Sequence, residues 1–500
     1  MNSESAYEEL IHRTRQSALI LSCAELLSWD ELTYMPAGGV ENRGNQMAFL
    51  AGLHHQHVTD VRIGELLEEI EHSTLVSDPE SAPAVNVREL RRTYSRQIRL
   101  PRLLIEELAR VVSIAQQEWE AARDDDDFDR LRPWLEQIVT LKRNEADCLR
   151  DHGVAYDALL QEYEPGATAA ELTRMFTALR QDLLGLLDKI LGRGQHPHVA
   201  ILKRDFPIER QRLFCETLAD AVGFDFHRGR LDTTAHPFFS AIGPGDCRIT
   251  TRYRYNQFSE ACFGTLHEVG HALYEQGLDP AHQFTPMGES SSLGIHESQS
   301  RLWENNVARS RSFWQYFLPQ ARQVFHEALH GVNLDEFYQA VNHVEPSANR
   351  VRADQVTYDL HIIARFEMEQ ALIAGDLSVA DIPAVWNEKY QHYLGITPAN
   401  DAEGCLQDGH WAAGMFGYFP GYTLGNIFAA QLFAAATNDL GDLNNRFSEG
   451  EFSDLLGWLR HHVHRHGQRY SAPELIRRAT GSLPDHRPFI VSLQERYNEN

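Results

Sequence analysis

Two histidines and a glutamate at fixed spacing are the residues of this chain whose chemistry is most readily interpreted. They form an H-E-x-x-H motif in which His267 and His271 are four residues apart and Glu268 follows the first histidine. Residues four apart lie on one face of a helix, so both imidazoles can bind one metal ion. Glu268 then lies within reach of a metal-bound water. Two nitrogen ligands, a general base and an open coordination position suit hydrolysis at zinc.

The motif needs a helix to hold it, and the sequence predicts one over 258–276, closed by Gly277. This stretch is apolar on most sides, which is typical of a buried helix. Buried histidine and glutamate side chains need partners, because unpaired polar groups are costly in a core, and a metal ion would satisfy them. A helix with two surface histidines is the alternative. The chain contains 25 histidines, and roughly 0.1 chance copies of the motif are expected at that composition.

A third protein ligand is expected, because catalytic zinc usually takes three and leaves the fourth position to water. Glu297 is the first choice, which gives a His-His-Glu site, and His296 and Glu289 are its competitors. Apolar spacing over 295–303 predicts a helix, on which His296 and Glu297 point in different directions. Both therefore cannot easily face the same metal. The third histidine of the longer H-E-x-x-H-x-x-G-x-x-H pattern is absent, which argues against a metzincin.

Length, composition and charge narrow the function classes. The 500 residues can bury a large core, and 43% hydrophobic with 23% charged residues is an ordinary globular composition. A formal net charge of -25 argues against a nucleic-acid-binding surface. The six cysteines form no C-x-x-C pair and indicate reduced thiols in a cytoplasmic protein. The apolar stretch 18–27 is a poor match to a signal peptide, and no run approaches the roughly 18 apolar residues that are expected of a membrane span.

Helical periodicity runs through most of the chain. The clearest examples are 103–118, 169–191, 355–374 and 428–438. One strand is predicted over 247–255, where β-branched and aromatic residues are dense. We therefore expect a mainly α fold, with one large helical body and a small β-sheet beside the metal helix. Residues 1–500 are expected to form a single domain, with two helical lobes around a cleft as the alternative.

Further motifs occur in order along the chain. Besides H-E-x-x-H, they are W-D-E-L-T-Y-M-P at 29–36, D-C-R-I-T at 246–250, H-E-S-Q at 296–299, R-V-R-A-D at 350–354, G-C-L-Q-D-G-H-W at 404–411 and Y-S-A-P-E-L at 470–475. Together they resemble the thermostable carboxypeptidase family, also called the carboxypeptidase Taq family of metallopeptidases. The resemblance covers nearly the whole chain and is far more specific than a lone H-E-x-x-H.

The resemblance implies a mostly helical fold with a deep groove, a homodimer, and removal of single residues from peptide C-termini. It also implies His267, His271 and Glu297 as metal ligands and Glu268 as the catalytic base. Zinc is the expected cofactor, and cobalt or manganese can share such sites. The expected partners are peptides with a free C-terminus, with no nucleic acid and no membrane.

The chain departs from the family pattern around Arg350. The family usually has an apolar residue before this arginine and an acidic residue two positions after it, where this chain has Asn349 and Arg352. Arg350 and Asp354 are kept, so activity is expected to survive. The added positive charge of Arg352 bears on substrate preference.

The oxyanion formed in peptide hydrolysis needs a hydrogen-bond donor besides the metal. His410 and Tyr422 are the candidates, because both lie in the polar and aromatic stretch 407–422. The alternative is that each is a core residue with a satisfied hydrogen bond.

An exopeptidase must also recognise the free C-terminal carboxylate. Arginine suits this role, because its planar fork binds a carboxylate through two hydrogen bonds. Arg350 is the first candidate and Arg248 the second. The alternative is a structural ion pair, of Arg350 with Asp354 or of Arg248 with Asp246.

Four histidines close to the C-terminus invite a second metal site, but a solvated helix face is preferred. They are His461, His462, His464 and His466.

Two other functions remain open for the whole chain. One is a zinc aminopeptidase or oligoendopeptidase with the same metal chemistry, which would be insensitive to C-terminal amidation. The other is a helical peptide-binding protein without turnover, which would have no need of Glu268 as a general base.

Overall fold

Helices make up most of the structure, a computed structural model that describes residues 2–194 and 197–498. In chain order the α-helices are α1 (Ser3–Thr33), α2 (Val40–Val58), α3 (Val61–Glu71), α4 (Ala82–Arg99), α5 (Arg102–Asp125), α6 (Phe128–Leu149), α7 (Ala155–Leu160), α8 (Ala169–Leu191), α9 (Ile208–Ala221), α10 (Phe258–Gly277), α11 (Leu293–Arg301), α12 (Arg311–Val324), α13 (Leu334–Val341), α14 (Tyr358–Ala374), α15 (Ile382–Leu394), α16 (Pro420–Leu440), α17 (Leu443–Ser448), α18 (Ser453–His462), α19 (Ala472–Thr480) and α20 (Arg487–Asn498). The strands are β1 (Gly229–Thr233), β2 (Phe239–Gly243) and β3 (Asp246–Thr251). The expected mainly α fold with a small sheet is confirmed.

The chain forms two compact units. The first comprises the described residues of Met1–Ile98, Pro197–Val341 and Phe428–Pro484. The second comprises those of Arg99–His196, Asn342–Ile427 and Asp485–Asn500. The expectation of a single domain stays a prediction.

Helix α10 carries the H-E-x-x-H motif, and its bounds confirm the helix predicted around it. Its first residue, Phe258, is fully buried. The ring centroids of Phe206, Phe325 and Trp314 lie 5.0, 5.8 and 5.9 Å from that of Phe258. Aromatic pairs of this kind contribute about 0.5–1.5 kcal/mol beyond the area that they bury. Aromatic packing in the first unit therefore anchors the end of the helix that leads to His267.

The small sheet packs against α10, as expected. Its strand order is β1-β3-β2, with β1 parallel and β2 antiparallel to β3. Gly245, in the tight turn between β2 and β3, has φ +79°, a left-handed conformation that favours glycine. The predicted strand ends early, at Thr251, because the chain turns toward α10. The N–H of Gln257 donates to the carbonyl of Arg254 at 3.2 Å, and the helix begins at the next residue.

The helices predicted from periodicity correspond to parts of α5, α8, α14 and α16. Helix α14 begins three residues later than predicted. The Asp354 carboxylate accepts the backbone N–H groups of Val356 and Thr357 at 2.8 and 3.0 Å, which holds the preceding residues in a turn. Within the described ranges, no helix is both long enough and apolar enough to cross a membrane.

Helix α14 gives the second unit a buried polar face. His361, Arg365 and Glu369 recur every four residues, and all three are fully buried. The Glu369 carboxylate accepts hydrogen bonds from the Tyr156 hydroxyl at 2.6 Å and from the Trp411 indole at 2.8 Å. A buried charge without such partners costs several kcal/mol. These bonds therefore hold the segment around Trp411 against α14.

Candidate active site

The first unit brings His267, His271 and Glu297 together, and we name these three residues the metal cluster. Their ligand atoms lie within 4.8 Å of one another. Glu297 Oε2 is 3.7 Å from His267 Nε2 and 3.3 Å from His271 Nε2. Helix α10 presents both histidines, and α11 adds the carboxylate. Two imidazole nitrogens and one carboxylate oxygen are a donor set that catalytic zinc accepts, so the residues fit a metal ion.

Gly270, a variable position of the motif, allows α11 to approach α10 closely. A Cβ atom on Gly270 would lie 2.5 Å from both the carbonyl oxygen of Gln299 and Cα of Ser300. Atoms so close would overlap, and a larger side chain would push α11 away. The absence of a side chain at Gly270 therefore lets Glu297 reach the two histidines.

Neighbours on α11 fix the orientation of Glu297, which is 2% exposed. Arg301 donates to Oε1 at 2.7 Å, and the Ser300 hydroxyl donates to Oε2 at 3.1 Å. Burial alone would raise the pKa of Glu297, but Arg301 and His267 outweigh burial and hold this pKa well below its usual range. Glu297 is therefore ionised, with Oε2 turned toward the histidines.

A second glutamate, Glu304, contacts the ring nitrogen of His267 that lies away from Glu297. Its carboxylate lies 2.9 Å from His267 Nδ1, whereas Nε2 is the nitrogen near Glu297. Glu304 belongs to a π-helical turn, Leu302–Val307, a rare geometry that is frequent at functional sites. Sequence reasoning missed this residue. The signal was present, because Glu297, Arg301 and Glu304 are spaced to share one helix face.

Glu268 is buried on α10, next to the first histidine, and is 7% exposed. Burial raises the pKa of Glu268 to about 7, with Glu297 and Glu304 acting in the same direction and His267 opposing them. A carboxyl group that titrates near neutrality can both accept and release a proton at a working pH. Glu268 therefore has the acid–base behaviour that a general base requires.

The two competitors for the third-ligand position have other contacts. His296 Nδ1 lies 2.5 Å from Nδ1 of His271, the ring nitrogen opposite the one near Glu297. Glu289 is exposed and accepts a hydrogen bond from Gln468 at 3.3 Å. His296 and Glu297 thus make their contacts on different sides of His271.

The expectation of a solvated helix face for the four C-terminal histidines is wrong for His464. This residue is fully buried, with Nε2 2.9 Å from Gln299 Oε1, and its ring centroid lies 5.0 Å from that of Tyr274. Helix α18 ends at His462, and Gly467 has φ +52°. The α-helix therefore ends before His464, which begins a 3-10 turn, and the His464 side chain supports α11 instead.

In the second unit a group of polar residues forms what we name the arginine cluster. It comprises Arg350, Arg365, Asp408, His410 and Tyr422. Arg350 donates from Nη2 to Asp408 Oδ1 at 2.8 Å, and Arg365 donates from Nε to Oδ2 at 2.7 Å. Two buried cations thus share one carboxylate. The cluster carries an excess of positive charge, which favours an anionic ligand.

The ion pair with Asp354, given above as the alternative role of Arg350, is not formed. Asp354 accepts the Thr357 hydroxyl at 2.8 Å and backbone N–H groups, because its own turn satisfies it locally. Arg350 pairs with Asp408 instead and also donates to the Tyr358 hydroxyl at 3.0 Å. Among the described residues, these hydrogen bonds use three of the five N–H groups of a guanidinium.

Both departures from the family pattern lie next to Arg350. The Asn349 side chain accepts the N–H of Val351 at 2.9 Å and so caps the 3-10 turn Arg350–Arg352. Arg352 is exposed. Asn349 therefore helps to form the turn that presents Arg350.

His410 and Tyr422 contact each other within the arginine cluster. His410 Nε2 lies 3.3 Å from the Tyr422 hydroxyl, and Arg350 Cζ lies 5.0 Å from the centroid of the Tyr422 ring. Burial lowers the pKa of His410 to about 4, against the effect of Asp408 and together with that of Arg350. His410 is therefore neutral near pH 7, with one ring N–H to donate.

Arg248, on β3 in the first unit, has the ion-pair geometry named as its alternative role. It donates to Asp246 from Nε at 2.9 Å and from Nη2 at 2.8 Å. Its Cζ lies 4.2 Å from the ring centroid of Trp29, a cation–π contact. One edge of its guanidinium is therefore occupied by Asp246, and one face by an indole ring.

The chain matches a family model described as Carboxypeptidase Taq (M32) metallopeptidase over residues 9–497. It is 50% identical to thermostable carboxypeptidase 1 of Thermus thermophilus, over 99% of both chains. It is 37% identical to carboxypeptidase 1 of Bacillus subtilis, over 95% of this chain and 94% of that one. Among solved structures, the M32 carboxypeptidase from Deinococcus radiodurans R1 matches with a TM-score of 0.96 and 40% identity, over 99% of both chains.

Proposed function

Because the chain belongs to the carboxypeptidase Taq (M32) family of metallopeptidases and is a peptidase, we propose that it releases single C-terminal residues from peptides by zinc-assisted hydrolysis. The observation that carries this proposal is the metal cluster. Three ligand atoms converge within 4.8 Å, and the buried carboxyl group of Glu268 lies on α10, the helix that carries both histidines.

The proposed chemistry assigns each residue of the site a step. His267, His271 and Glu297 would hold the ion. When bound, zinc lowers the pKa of a water toward neutrality and polarises the scissile carbonyl. Glu268 accepts the proton of the attacking water and passes it to the leaving amine. Burial, which raises the pKa of Glu268, favours its holding the proton between the two steps.

His410 and Tyr422 are proposed to donate hydrogen bonds to the developing oxyanion. A neutral histidine has one ring N–H, and a tyrosine has one hydroxyl hydrogen. The 3.3 Å contact between His410 Nε2 and the Tyr422 hydroxyl uses one of these two hydrogens, so it supports the role for one of the two residues, with the other orienting it. A Tyr422→Phe variant with unchanged turnover would favour the alternative, a core pair with satisfied hydrogen bonds.

Arg350 is proposed to bind the free carboxylate of the substrate, and Arg248 is the second candidate. The excess positive charge of the arginine cluster supports Arg350, because an anion would balance it. Arg350 also keeps two N–H groups beyond its three bonds to described residues. Arg248, by contrast, has one carboxylate partner of its own in Asp246.

The homodimer and the cytoplasmic location complete the proposal. The first comes from the family resemblance, and the second from the cysteine pattern. Light scattering on the purified protein measures the oligomeric state directly, and a monomer at working concentration would contradict the proposed dimer.

The proposed function is tested by following the digestion of an N-blocked peptide by mass spectrometry. Zinc-loaded protein is compared with the same protein treated with a chelator and then resupplied with zinc. We expect products that shorten by one residue at a time from the C-terminus, loss of this activity with the chelator, and its recovery with zinc. Internal fragments, or cleavage that persists without metal, would contradict the proposal.

A further inference from the structure

His296 links two residues of α10 that lie one helical turn apart. Its Nδ1 is 2.5 Å from His271 Nδ1, and its Nε2 is 3.2 Å from Glu275 Oε1. The three side chains therefore form one hydrogen-bonded chain, which runs from a metal-cluster histidine to a carboxylate. The chain crosses from α10 to α11 and back.

The chemistry of metal binding determines where the hydrogens of this chain lie. His271 Nε2, which is 3.3 Å from Glu297, must carry no hydrogen if it is to bind a metal. Its Nδ1 then carries the hydrogen and donates it to His296 Nδ1. His296 consequently has its own hydrogen on Nε2, where it can donate to Glu275. The opposite direction would place a hydrogen on the metal-binding nitrogen of His271.

We propose that His296 is a positioning residue that fixes the tautomer and ring orientation of His271, with Glu275 fixing His296 in turn. This proposal rests on the proposed metal site. Residues that hydrogen-bond the outer nitrogen of a metal-binding histidine generally raise metal affinity, and their loss costs roughly 10- to 100-fold.

Aromatic packing holds the His296 ring in place. Its centroid lies 4.6 Å from that of His271, 5.4 Å from that of Tyr274 and 5.6 Å from that of Phe239. A phenylalanine at this position would keep these ring contacts. Packing and hydrogen bonding can therefore be separated by substitution.

The two histidines of the metal cluster are supported by different chemistry. His267 Nδ1 faces the Glu304 carboxylate at 2.9 Å, whereas His271 Nδ1 faces the imidazole of His296. A carboxylate adds negative charge to the site, but a neutral imidazole orients His271 without adding charge. Glu275 lies one residue further along the chain of hydrogen bonds, so its loss should matter less than the loss of His296.

The test measures zinc affinity by competition with a chromophoric chelator at fixed pH. The variants are His296→Phe, which removes the acceptor but keeps an aromatic ring, and His296→Asn, whose amide oxygen can accept near the position of Nδ1. Glu275→Gln weakens the outer hydrogen bond. His326→Phe serves as the matched control, because the His326 side chain is 60% exposed. Cobalt absorption spectra report ligand geometry, and thermal unfolding without metal reports folding.

We expect His296→Phe to weaken zinc binding roughly 10- to 100-fold and to alter the cobalt spectrum. His296→Asn should recover most of the affinity, Glu275→Gln should show a smaller loss, and the control should bind like the parent. Parent-like affinity and spectrum in a folded His296→Phe variant would overturn the proposal. If that variant fails to fold, parent-like affinity in Glu275→Gln overturns it. A parent protein that binds no zinc would instead refute the proposed metal site.

Discussion

The metal cluster and the arginine cluster concentrate buried charge in opposite ways. In the first, two imidazole nitrogens and one carboxylate oxygen converge, and hydrogen bonds hold their outer atoms. In the second, Arg350 and Arg365 share the single carboxylate of Asp408. The first group offers nitrogen and oxygen ligand atoms and suits a cation, whereas the second has an excess of positive charge and suits an anion. Under the proposed function, the first would hold a zinc ion and the second would bind the carboxylate of the substrate.

The largest expected effect on turnover comes from replacing Glu268, the proposed general base. We expect Glu268→Gln to lower kcat roughly 100- to 10,000-fold, because the amide cannot accept the proton of the attacking water. Zinc content, measured on the same samples, should stay at the parent value, since Glu268 is not among the proposed ligands. A variant that keeps its zinc and its turnover would remove Glu268 from the mechanism.

Replacing Arg350 should act on substrate recognition. Arg350→Ala removes at least one charged hydrogen bond, worth about 1.5–3 kcal/mol, so kcat/KM for free C-terminal peptides should fall by at least roughly 10- to 150-fold. The informative readout is the ratio of kcat/KM for free and amidated peptides, which structural damage alone would not change. Arg102→Ala is the control, because the Arg102 side chain is 87% exposed and has no proposed role. An unchanged ratio in Arg350→Ala, with a reduced ratio in Arg248→Ala, would transfer the role to Arg248.

A substitution at Gly270 tests how far the metal cluster depends on the close contact between α10 and α11. Gly270→Ala should destabilise the fold by about 1–3 kcal/mol and weaken zinc binding, because its Cβ would overlap the backbone of α11. Gly264→Ala is the matched control on the same helix. Its Cβ would come no closer than 4.0 Å to Thr251 Oγ1, and alanine is the better helix former by about 1 kcal/mol. Equal effects in urea unfolding would contradict the close-contact account.

The smallest expected effect is a pH dependence of the free energy of unfolding that comes from His464. Burial lowers the pKa of His464 to about 3, from an ordinary value of 6.5. Below pH 6.5 the unfolded chain binds a proton that the folded chain does not, so stability falls as the pH falls through this window. The slope for one proton approaches roughly 1.4 kcal/mol per pH unit. His464→Gln should flatten this slope in urea unfolding between about pH 7 and pH 5. An unchanged slope would show that His464 is not the group responsible.

The two clusters also differ in how much of them could be predicted from the sequence. His267 and His271 share one helix face, and Glu297 lies in the next helix along the chain, so spacing and periodicity pointed to all three. Asp408 lies 58 residues from Arg350 in the chain. No periodicity links two positions so far apart, and the ion pair considered as the alternative role of Arg350 was with the nearby Asp354. Spacing pointed to Glu304 as well, but the π-helical turn that carries this residue was missed, because periodicity does not report a local change of helix type.

Fold class was also predictable from repeating apolar spacing. Apolar spacing marked α5, α8 and α10 well, because their buried faces repeat along many turns. The end of β3 and the start of α14 depend instead on single turn contacts, at Gln257 and at Asp354. The burial of His464 depends on packing against Gln299, 165 residues away in the chain. Such contacts leave no repeating pattern in the sequence.

The most direct test of the account compares one N-blocked peptide with a free and with an amidated C-terminus, incubated with zinc-loaded protein and a chelator control. The account predicts chelator-sensitive release of the last residue from the free form only, because the carboxylate is the group that the arginine cluster would bind. Equal cleavage of both forms would contradict it and would assign the metal cluster to an endopeptidase or aminopeptidase activity.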